Sequence, residues 1–537
     1  MTTVERIIPP KIADDGSVHY ASVTSPSDDS IAVCVMVPNR IIPVIFVPGI
    51  MGSNLCNLKG EPVWVVDSPQ AMVPWATKNA SYRKQKLDPN QTQVYGGGKL
   101  PEGTSLSTVE KKQRGWGTVS KKSYGDWLVW LQNALDDCHP GTDHGRSGLR
   151  ASLRDMVITQ GLEKLTDAEI GLSYRYRFPV HAVGYNWLKS NHIASEDLGK
   201  AIDRIISAYR DHGRCDKVIL VTHSMGGLVA RHCSEPFGYR EKILGIVHGV
   251  MPAIGSATAY KRVKSGTESD GTVIGGVSRR VLGATAEEIT AVFAQSPGAL
   301  QLLPSPDYGN GWLKIRDGGR PVPSLPMSGD PYSDIYLKRR VWWGLIDEQL
   351  INPLDTAKTN INADWTNFCT LLTTVVRRFH EAISRRYHPC TYVFYGDDEQ
   401  HKTWEDVEWT CQRKPSLWKG SDSYLDDDRY DPKDKPAAAD DRIGTIEIVA
   451  GRTESSLNLP VSKTFKIGPA SDNGDGTVPV RSGSAPKHYS KACIGFSGID
   501  HEGAYNPTPQ PHPPQFFTLW AIVRIVGNVK GTTMEYK

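Results

Sequence analysis

The serine at position 224 is surrounded by residue types that could make it a nucleophile. The apolar run Val218–Val221 predicts a buried strand, small and polar residues follow at 222–227, and Leu228 and Val229 begin a helical pattern. A strand, a sharp turn and a helix around one serine form a nucleophile elbow, which exposes the hydroxyl oxygen at the carboxyl end of a sheet. The pattern therefore predicts nucleophilic chemistry at Ser224.

One position departs from the usual elbow pattern. That pattern has a glycine two residues before the serine, whereas this chain has Thr222, so only the Ser-x-Gly half, which ends at Gly226, is intact. A threonine fits there if the strand and the helix splay slightly. The alternative interpretation, a Ser-Met-Gly-Gly turn without chemistry, stays open at this point.

A serine hydroxyl also needs a base to remove its proton, and the base needs a carboxylate to orient it. Asp475 lies in a glycine turn after predicted strands and is the predicted acid, with Asp472 and Asp397 as reserves. His501 follows on a loop and completes the order serine, acid, histidine of α/β hydrolases. His512, among prolines, is a second candidate for the base.

Two backbone N–H groups are expected to hold the negative oxygen of a tetrahedral intermediate. One is that of Met225, directly after the nucleophile. The other is that of Ile50, because the apolar strand Ile41–Val47 runs straight into a glycine turn. An ordinary strand-to-helix turn is the alternative interpretation of that segment. The predicted mechanism uses no metal and no cofactor.

The elements around these residues predict the α/β class. Leu198, Ile202, Ile205, Ile206 and Tyr209 follow helical spacing, with Ser195 as the expected cap. Apolar runs before and after this helix alternate with helical patterns, which predicts parallel strands joined by crossover helices.

The 537 residues divide into four predicted parts. Residues 1–35 form an N-terminal extension, and 36–252 the first part of the core, with the elbow. Residues 253–345 form an inserted cap or lid, and 346–537 the second part of the core. The last part contains a charged segment, 400–441, which we expect to be a solvated loop, with calcium binding at Asp426–Asp428 as the alternative.

Composition narrows the function classes. The 62 Lys and Arg residues nearly balance the 59 Asp and Glu residues, which gives a net charge of +3 and no basic block typical of nucleic-acid binding. The nine cysteines are scattered, which argues against a disulfide framework and against a zinc site. The first residues show no signal-peptide pattern, and no apolar run reaches the roughly 18 residues of a membrane span. We therefore expect synthesis in the cytoplasm.

Five motifs together resemble the lecithin:cholesterol acyltransferase and GPI inositol-deacylase branch of the α/β hydrolases. They are Val47–Ser53, His223–Gly227, Ser296–Pro304, Gly474–Pro479 and Asp500–His501. The resemblance implies an α/β-hydrolase fold with Ser224, Asp475 and His501 as the catalytic triad. The family's Tyr-Asp-Trp-Arg segment appears here as Tyr185–Leu188, without its Asp and Arg.

A chain of this length and pattern without a signal peptide is also similar to bacterial type VI secretion phospholipase effectors. That similarity implies delivery into the periplasm of a target cell and hydrolysis of membrane phospholipid. It also implies an immunity protein and a secretion spike component as partners.

The alternatives are a neutral-lipid esterase or acyltransferase that uses the same residues, and a binding module on an inactive hydrolase scaffold. The last is disfavoured because all three triad positions are present.

Overall fold

The computed structural model describes residues 5–8, 10–12, 18–21, 31–34, 37–137, 148–268, 279–318, 322–412, 435–452, 460–507 and 513–536. Within these ranges two sheets carry the architecture. Their strands, in chain order, are β1 Val44–Val47, β2 Val180–Ala182, β3 Val218–His223, β4 Ile243–Gly249, β5 Leu313–Arg316, β6 Thr391–Gly396, β7 Val407–Gln412, β8 Ala439–Asp440, β9 Thr445–Arg452, β10 Pro460–Ile467 and β11 Ala492–Phe496.

The first sheet has six parallel strands in the order β11-β6-β4-β3-β1-β2. Every residue of the central strands β3 and β4 is buried, as expected for strands covered on both faces. Because neighbouring strands are parallel, each connection must cross over and return the chain to the same end of the sheet. The predicted α/β class is confirmed.

Helices cover both faces of this sheet. The longer helices of the molecule, with the short α7, are α1 Lys121–Leu135, α2 Asn191–Tyr209, α3 Gly226–Ser234, α4 Ala257–Ser265, α5 Ala286–Phe293, α6 Ile361–Leu371, α7 Arg377–Ile383 and α8 Pro513–Val526. Of these, α4 packs on β7 of the second sheet. Residues Leu372–Val376 join α6 to α7 as a π-helical turn. Along α6, the π-helical turn and α7, six apolar side chains at helical spacing are buried in the core: Trp365, Phe368, Leu372, Val376, Phe379 and Ile383.

Helix α2 begins earlier than the sequence predicts. Its cap is Ser190, whose side chain accepts a hydrogen bond from the N–H of His192. Ser195, the expected cap, lies inside the helix, where its hydroxyl donates to the carbonyl oxygen of His192 at 2.6 Å. The expectation of Ser195 as cap was wrong because Asn191–Ala194 already follow helical geometry.

The second sheet has five strands in the order β5-β7-β10-β9-β8. It draws β5 from the predicted cap, 253–345, and the other four strands from the second part of the core, so the packing does not divide at residue 345. Strand β7 lies inside segment 400–441, where a solvated loop was expected. Its inward residues Val407 and Trp409 are fully buried, and this burial favours a strand there. Asp426–Asp428 lie outside the described residues.

The remaining strands form smaller sheets. A three-stranded sheet consists of Leu55–Asn57, Pro62–Trp64 and Thr92–Val94, and Asp398–Thr403 pairs with Asp472–Gly474. The N-terminal extension contributes four short strands: Glu5–Ile8, Lys11–Ile12, Val18–His19 and Ile31–Cys34. In the part of the chain that the structure describes, no helix is long and apolar enough to cross a membrane.

Candidate active site

Ser224 lies between β3 and α3 in a backbone conformation that side chains rarely adopt. Its φ is +51°, and its N–H donates to the carbonyl oxygen of Gly249 at 2.9 Å. A positive φ at a residue other than glycine is strained and persists only where the surrounding structure holds it. The strand, turn and helix therefore have the geometry predicted for an elbow, and the N-terminal end of α3 lies directly after the serine.

Helix α3 passes close to the end of β1 at Gly226. A Cβ atom at this position would lie 2.4 Å from the carbonyl oxygen of Pro48, so no larger residue fits without a shift of the backbone. Thr222 instead lies in the sheet, fully buried, with its hydroxyl 2.8 Å from Nδ1 of His248 on β4. A polar neighbour on the adjacent strand thus accommodates the threonine that departs from the usual pattern.

The fold brings the three predicted catalytic residues together. Oγ of Ser224 is 2.8 Å from Nε2 of His501, and Nδ1 of His501 is 2.8 Å from Oδ2 of Asp475. Ser224 is 3% exposed and the Asp475 side chain is fully buried, whereas 17% of the His501 side chain is exposed. The histidine is therefore the member of the set nearest to solvent.

The hydrogen bonds of Asp475 indicate which ring nitrogen of His501 carries the hydrogen. Its Oδ1 accepts hydrogen bonds from the N–H groups of Thr477 and Val478, at 2.9 and 2.7 Å. Its other oxygen, Oδ2, accepts the Nδ1–H of His501. Nε2 of His501 is then an acceptor and faces the hydroxyl of Ser224, which is the tautomer that a general base requires.

The reserve candidates lie elsewhere. Asp397 accepts a hydrogen bond from the side chain of Asn473, and Asp472 accepts from Ser471 and from the N–H of Glu405. His512, the second candidate for the base, lies outside the described residues.

The turn after β1 packs directly on the nucleophile. A Cβ atom at Gly49 would lie 3.0 Å from Cβ of Ser224, so this glycine permits the close approach. Among the described residues, no hydrogen bond is donated by the N–H of Ile50 or by the N–H of Met225. Both predicted oxyanion donors are therefore unengaged within the part of the chain that the structure describes.

The segment Tyr185–Leu188 supports this turn. The hydroxyl of Tyr185 donates to the carbonyl oxygen of Pro48 at 3.0 Å, and its N–H donates to Oγ of Ser53 at 3.0 Å. Asn186, in the place of the family's aspartate, donates to the carbonyl oxygen of Thr92 instead.

Sequence analysis missed two polar residues that the structure places beside the site. His223, which precedes the nucleophile, has Nε2 2.7 Å from the carbonyl oxygen of His501 and Nδ1 2.9 Å from the hydroxyl of Tyr124. Burial, together with the neighbouring His501, lowers the pKa of His223 to about 3, so the ring is neutral. A histidine near the end of a strand that begins with the apolar run Val218–Val221 was the available signal for His223. Nothing local distinguishes Tyr124 from the other residues of its helix.

Within the described ranges, no group of three or more His, Cys, Asp or Glu side chains is placed to hold a metal ion. The chemistry that the residues can perform is proton removal from Ser224 by His501, followed by nucleophilic attack.

Comparisons with known proteins agree with this geometry. The model of the PGAP1-like alpha/beta domain family matches residues 191–253, which include β3, the elbow and β4. No curated protein sequence matches the chain.

Among solved structures, the crystal structure of the Tle4-Tli4 complex contains a similar chain. The two are 30% identical with a TM-score of 0.73, and the similarity covers 90% of this chain and 98% of that one. Phospholipase PlaB from Legionella pneumophila is 10% identical over 81% of this chain and 83% of its own, with a TM-score of 0.17. That score is too low to support an argument. The PGAP1-like match and the Tle4-Tli4 match confirm the predicted resemblance to deacylase-like α/β hydrolases.

Proposed function

The chain belongs to the family of the Tle4 protein, and from this membership we propose that it is a serine-dependent phospholipase that hydrolyses acyl esters of membrane glycerophospholipids. The observation that carries the proposal is the hydrogen-bonded series Ser224, His501 and Asp475 at the elbow. Each member has the hydrogen-bond partner that acyl transfer requires.

In the first half of the reaction, His501 takes the hydroxyl proton through Nε2 while Ser224 attacks the ester carbonyl carbon. Asp475 stabilises the imidazolium that forms, through the hydrogen bond to Nδ1. The N–H groups of Ile50 and Met225 stabilise the negative oxygen, since neither donates a hydrogen bond to another described residue and each directly follows a residue at the site, Gly49 or Ser224. His501 then returns the proton to the leaving alcohol, and an acyl-serine remains.

In the second half, His501 removes a proton from water, and the hydroxide attacks the acyl-serine. The tetrahedral intermediate collapses, the fatty acid leaves, and Ser224 regains its proton. The residues of this chain supply every acid, base and nucleophile in the sequence.

The surroundings of the nucleophile suit an acyl chain. Ile50, half-buried, packs against the apolar cluster beside the first sheet and also against the cluster that contains the second sheet. Met51 follows it with a φ of +61° and packs in the first of these clusters. An apolar turn between two apolar clusters places hydrocarbon next to the reacting ester, which favours a lipid over a polar substrate.

Family membership also supports an antibacterial role. Tle4 forms a complex with Tli4, and we infer that this chain likewise has a cognate immunity protein, which blocks the site in kin cells. Secretion by a type VI apparatus, with a spike component as carrier, delivers the enzyme to the periplasm and membrane of a target cell.

The decisive experiment measures fatty-acid release from phospholipid vesicles by the purified chain and by Ser224→Ala. The matched control is Ser333→Ala, because Ser333 is exposed and far from the elbow in the chain. Release by the wild type and the control, with none by Ser224→Ala, would support the proposal.

Three other outcomes contradict it. Equal release by wild type and Ser224→Ala would assign the activity to another serine or to a contaminant. Activity on short-chain esters alone would point to the neutral-lipid esterase or acyltransferase alternative. A fluorophosphonate probe that fails to label Ser224 would favour the inactive binding scaffold.

A further inference from the structure

A series of three hydrogen bonds links the turn at Gly49 to the loop of His501 through two side chains. It begins at the N–H of Gly49, which donates to the hydroxyl oxygen of Tyr124 at 3.1 Å. It continues from Tyr124 to Nδ1 of His223 at 2.9 Å, and from Nε2 of His223 to the carbonyl oxygen of His501 at 2.7 Å. Its ends are the turn with the proposed oxyanion donor and the loop with the proposed base.

The geometry points to His223 and Tyr124 as positioning residues, which hold the main chain of His501 and the turn at Gly49 in register on the two sides of Ser224. This inference rests on the function proposed above. It adds two residues that do not touch the substrate and act through the ones that do.

Only one set of donors and acceptors satisfies the series. The carbonyl oxygen of His501 can only accept, so Nε2 of His223 carries the hydrogen. The neutral ring then has a bare Nδ1, which accepts the hydrogen of the Tyr124 hydroxyl. Burial raises the pKa of Tyr124 far above its ordinary value, so the phenol keeps that hydrogen. Its oxygen lone pair is left for the N–H of Gly49.

The series completes the attachment of the His501 main chain. The N–H of His501 donates to the carbonyl oxygen of Asp475 at 2.9 Å, and its own carbonyl oxygen accepts from His223. Both polar groups of the backbone are thus engaged, one by the proposed acid and one by the residue that precedes the nucleophile. The position of the imidazole relative to Oγ of Ser224 follows from these two bonds.

At its other end the series sets the turn that packs on Ser224. A Cβ atom at Gly52 would lie 2.8 Å from the Tyr124 hydroxyl oxygen, so the turn wraps closely around that hydroxyl. Because Gly49 precedes Ile50, a bond to the Gly49 N–H restricts the direction of the next peptide group. That peptide carries the proposed oxyanion donor.

Neither side chain is placed to react. Tyr124 and His223 are 3% and 5% exposed, and the ring centroids of His223 and His501 are 5.2 Å apart. The ring of Tyr124 also packs 4.9 Å from that of Phe46, measured between centroids, so removal of the hydroxyl alone leaves this packing in place. The contribution of these residues is therefore geometric, and small displacements at reacting groups slow reactions strongly.

The test compares Tyr124→Phe, His223→Leu and His223→Gln in steady-state hydrolysis of a soluble short-chain ester and of phospholipid vesicles. We expect Tyr124→Phe and His223→Leu to lower kcat about 10- to 100-fold with KM nearly unchanged. We expect His223→Gln to restore most of that loss, because its amide N–H can donate to His501 and its amide oxygen can accept from Tyr124.

The matched control is Tyr505→Phe. Tyr505 is also fully buried and packs beside His223, with ring centroids 6.0 Å apart, but its hydroxyl donates to the carbonyl oxygen of Thr222 and not to this series. Its kcat should stay near the wild-type value. A drop equal to that of Tyr124→Phe would mean that loss of any buried hydroxyl here perturbs the site, and would overturn the inference.

Two further measurements keep the test decisive. Melting temperatures show whether each variant is folded. In the double variant Tyr124→Phe/His223→Leu, a loss no greater than that of the larger single loss would show one coupled unit, whereas multiplied losses would contradict it. If Ser224→Ala stays active, the proposed function itself fails. If Ser224→Ala is inactive while Tyr124→Phe keeps full kcat, only the present inference fails.

Discussion

The two sheets of the molecule bury polar side chains in different ways. At the first sheet, the buried hydroxyl of Ser224 faces a ring nitrogen of His501 at 2.8 Å. At the second sheet, Nζ of Lys463 on β10 lies 2.9 and 2.7 Å from the two carboxylate oxygens of Asp317, which directly follows β5. The lysine and aspartate side chains are 1% and 0% exposed.

The difference lies in where a proton can go. In the first sheet, the serine has a partner that can accept its proton and then hand it on, so the pair is reactive. In the second sheet, two opposite charges neutralise each other, and transfer of the proton would leave two neutral groups in place of a favourable ion pair. Burial of polar groups therefore does not by itself mark a reactive site, and the identity of the partner decides the outcome.

The same substitution in both sheets should separate these roles, and the larger effect is expected at the first. Asp475→Asn should lower kcat about 10⁴-fold, because an amide there can donate to His501 and favours the wrong tautomer. The melting temperature should stay close to that of the wild type. Ester hydrolysis and thermal unfolding, measured on the same preparation, test both parts. A loss of less than tenfold would point to another acid.

In the second sheet, Asp317→Asn should reduce stability and not chemistry. Removal of the counter-charge of a buried lysine destabilises proteins by about 3–5 kcal/mol. Urea unfolding should show this loss, while kcat per folded molecule stays unchanged. The double variant Asp317→Leu/Lys463→Met should recover most of the stability. Failure of the double variant to recover would mean that the pair is not the cause.

Acid should destabilise the protein through its buried histidines. His223 and His248 have pKa values lowered to about 3, and His380 to about 4, in each case mainly by burial. Below pH 6.5 the unfolded chain takes up protons that the folded histidines do not. Stability should therefore fall as pH decreases from 6.5 towards 4, by about 1.4 kcal/mol per pH unit for each histidine.

Urea unfolding at pH 7, 6 and 5 measures this slope. His248→Gln removes one of these buried histidines and should make the slope shallower by roughly one histidine's share. A stability that does not change between pH 7 and pH 5 would contradict the prediction.

The smallest expected effect concerns the threonine of the elbow. Thr222→Val keeps the shape of the side chain but removes the hydrogen bond to His248, which should reduce stability by about 1–2 kcal/mol. Ester hydrolysis should continue at close to the wild-type rate, since the Thr222 hydroxyl is bonded to His248 on the neighbouring strand. A large loss of kcat with unchanged stability would assign Thr222 a role in catalysis.

Some of this site could be predicted because its signals are local. The apolar residues of β3, followed by small residues, predict the elbow at Ser224, and periodicity predicts α2. Segment 400–441 was misjudged because its charged residues hide the burial of Val407 and Trp409, which only their neighbours in the second sheet create. The sequence pattern also could not show that β5, within the predicted cap, belongs to the second sheet. Its partner β7 begins more than 90 residues later in the chain.

The sequence by itself determined the reactive residue types and their order along the chain, because an elbow, a glycine turn and a loop histidine each depend on a few adjacent residues. Only the tertiary structure decided that Asp475, and not Asp397 or Asp472, meets His501, because these carboxylates differ in the direction in which the folded chain points them. It also brought Tyr124 and His223 into contact, 99 residues apart in the chain. Such contacts depend on how α1 packs against the first sheet, and no local pattern encodes that packing.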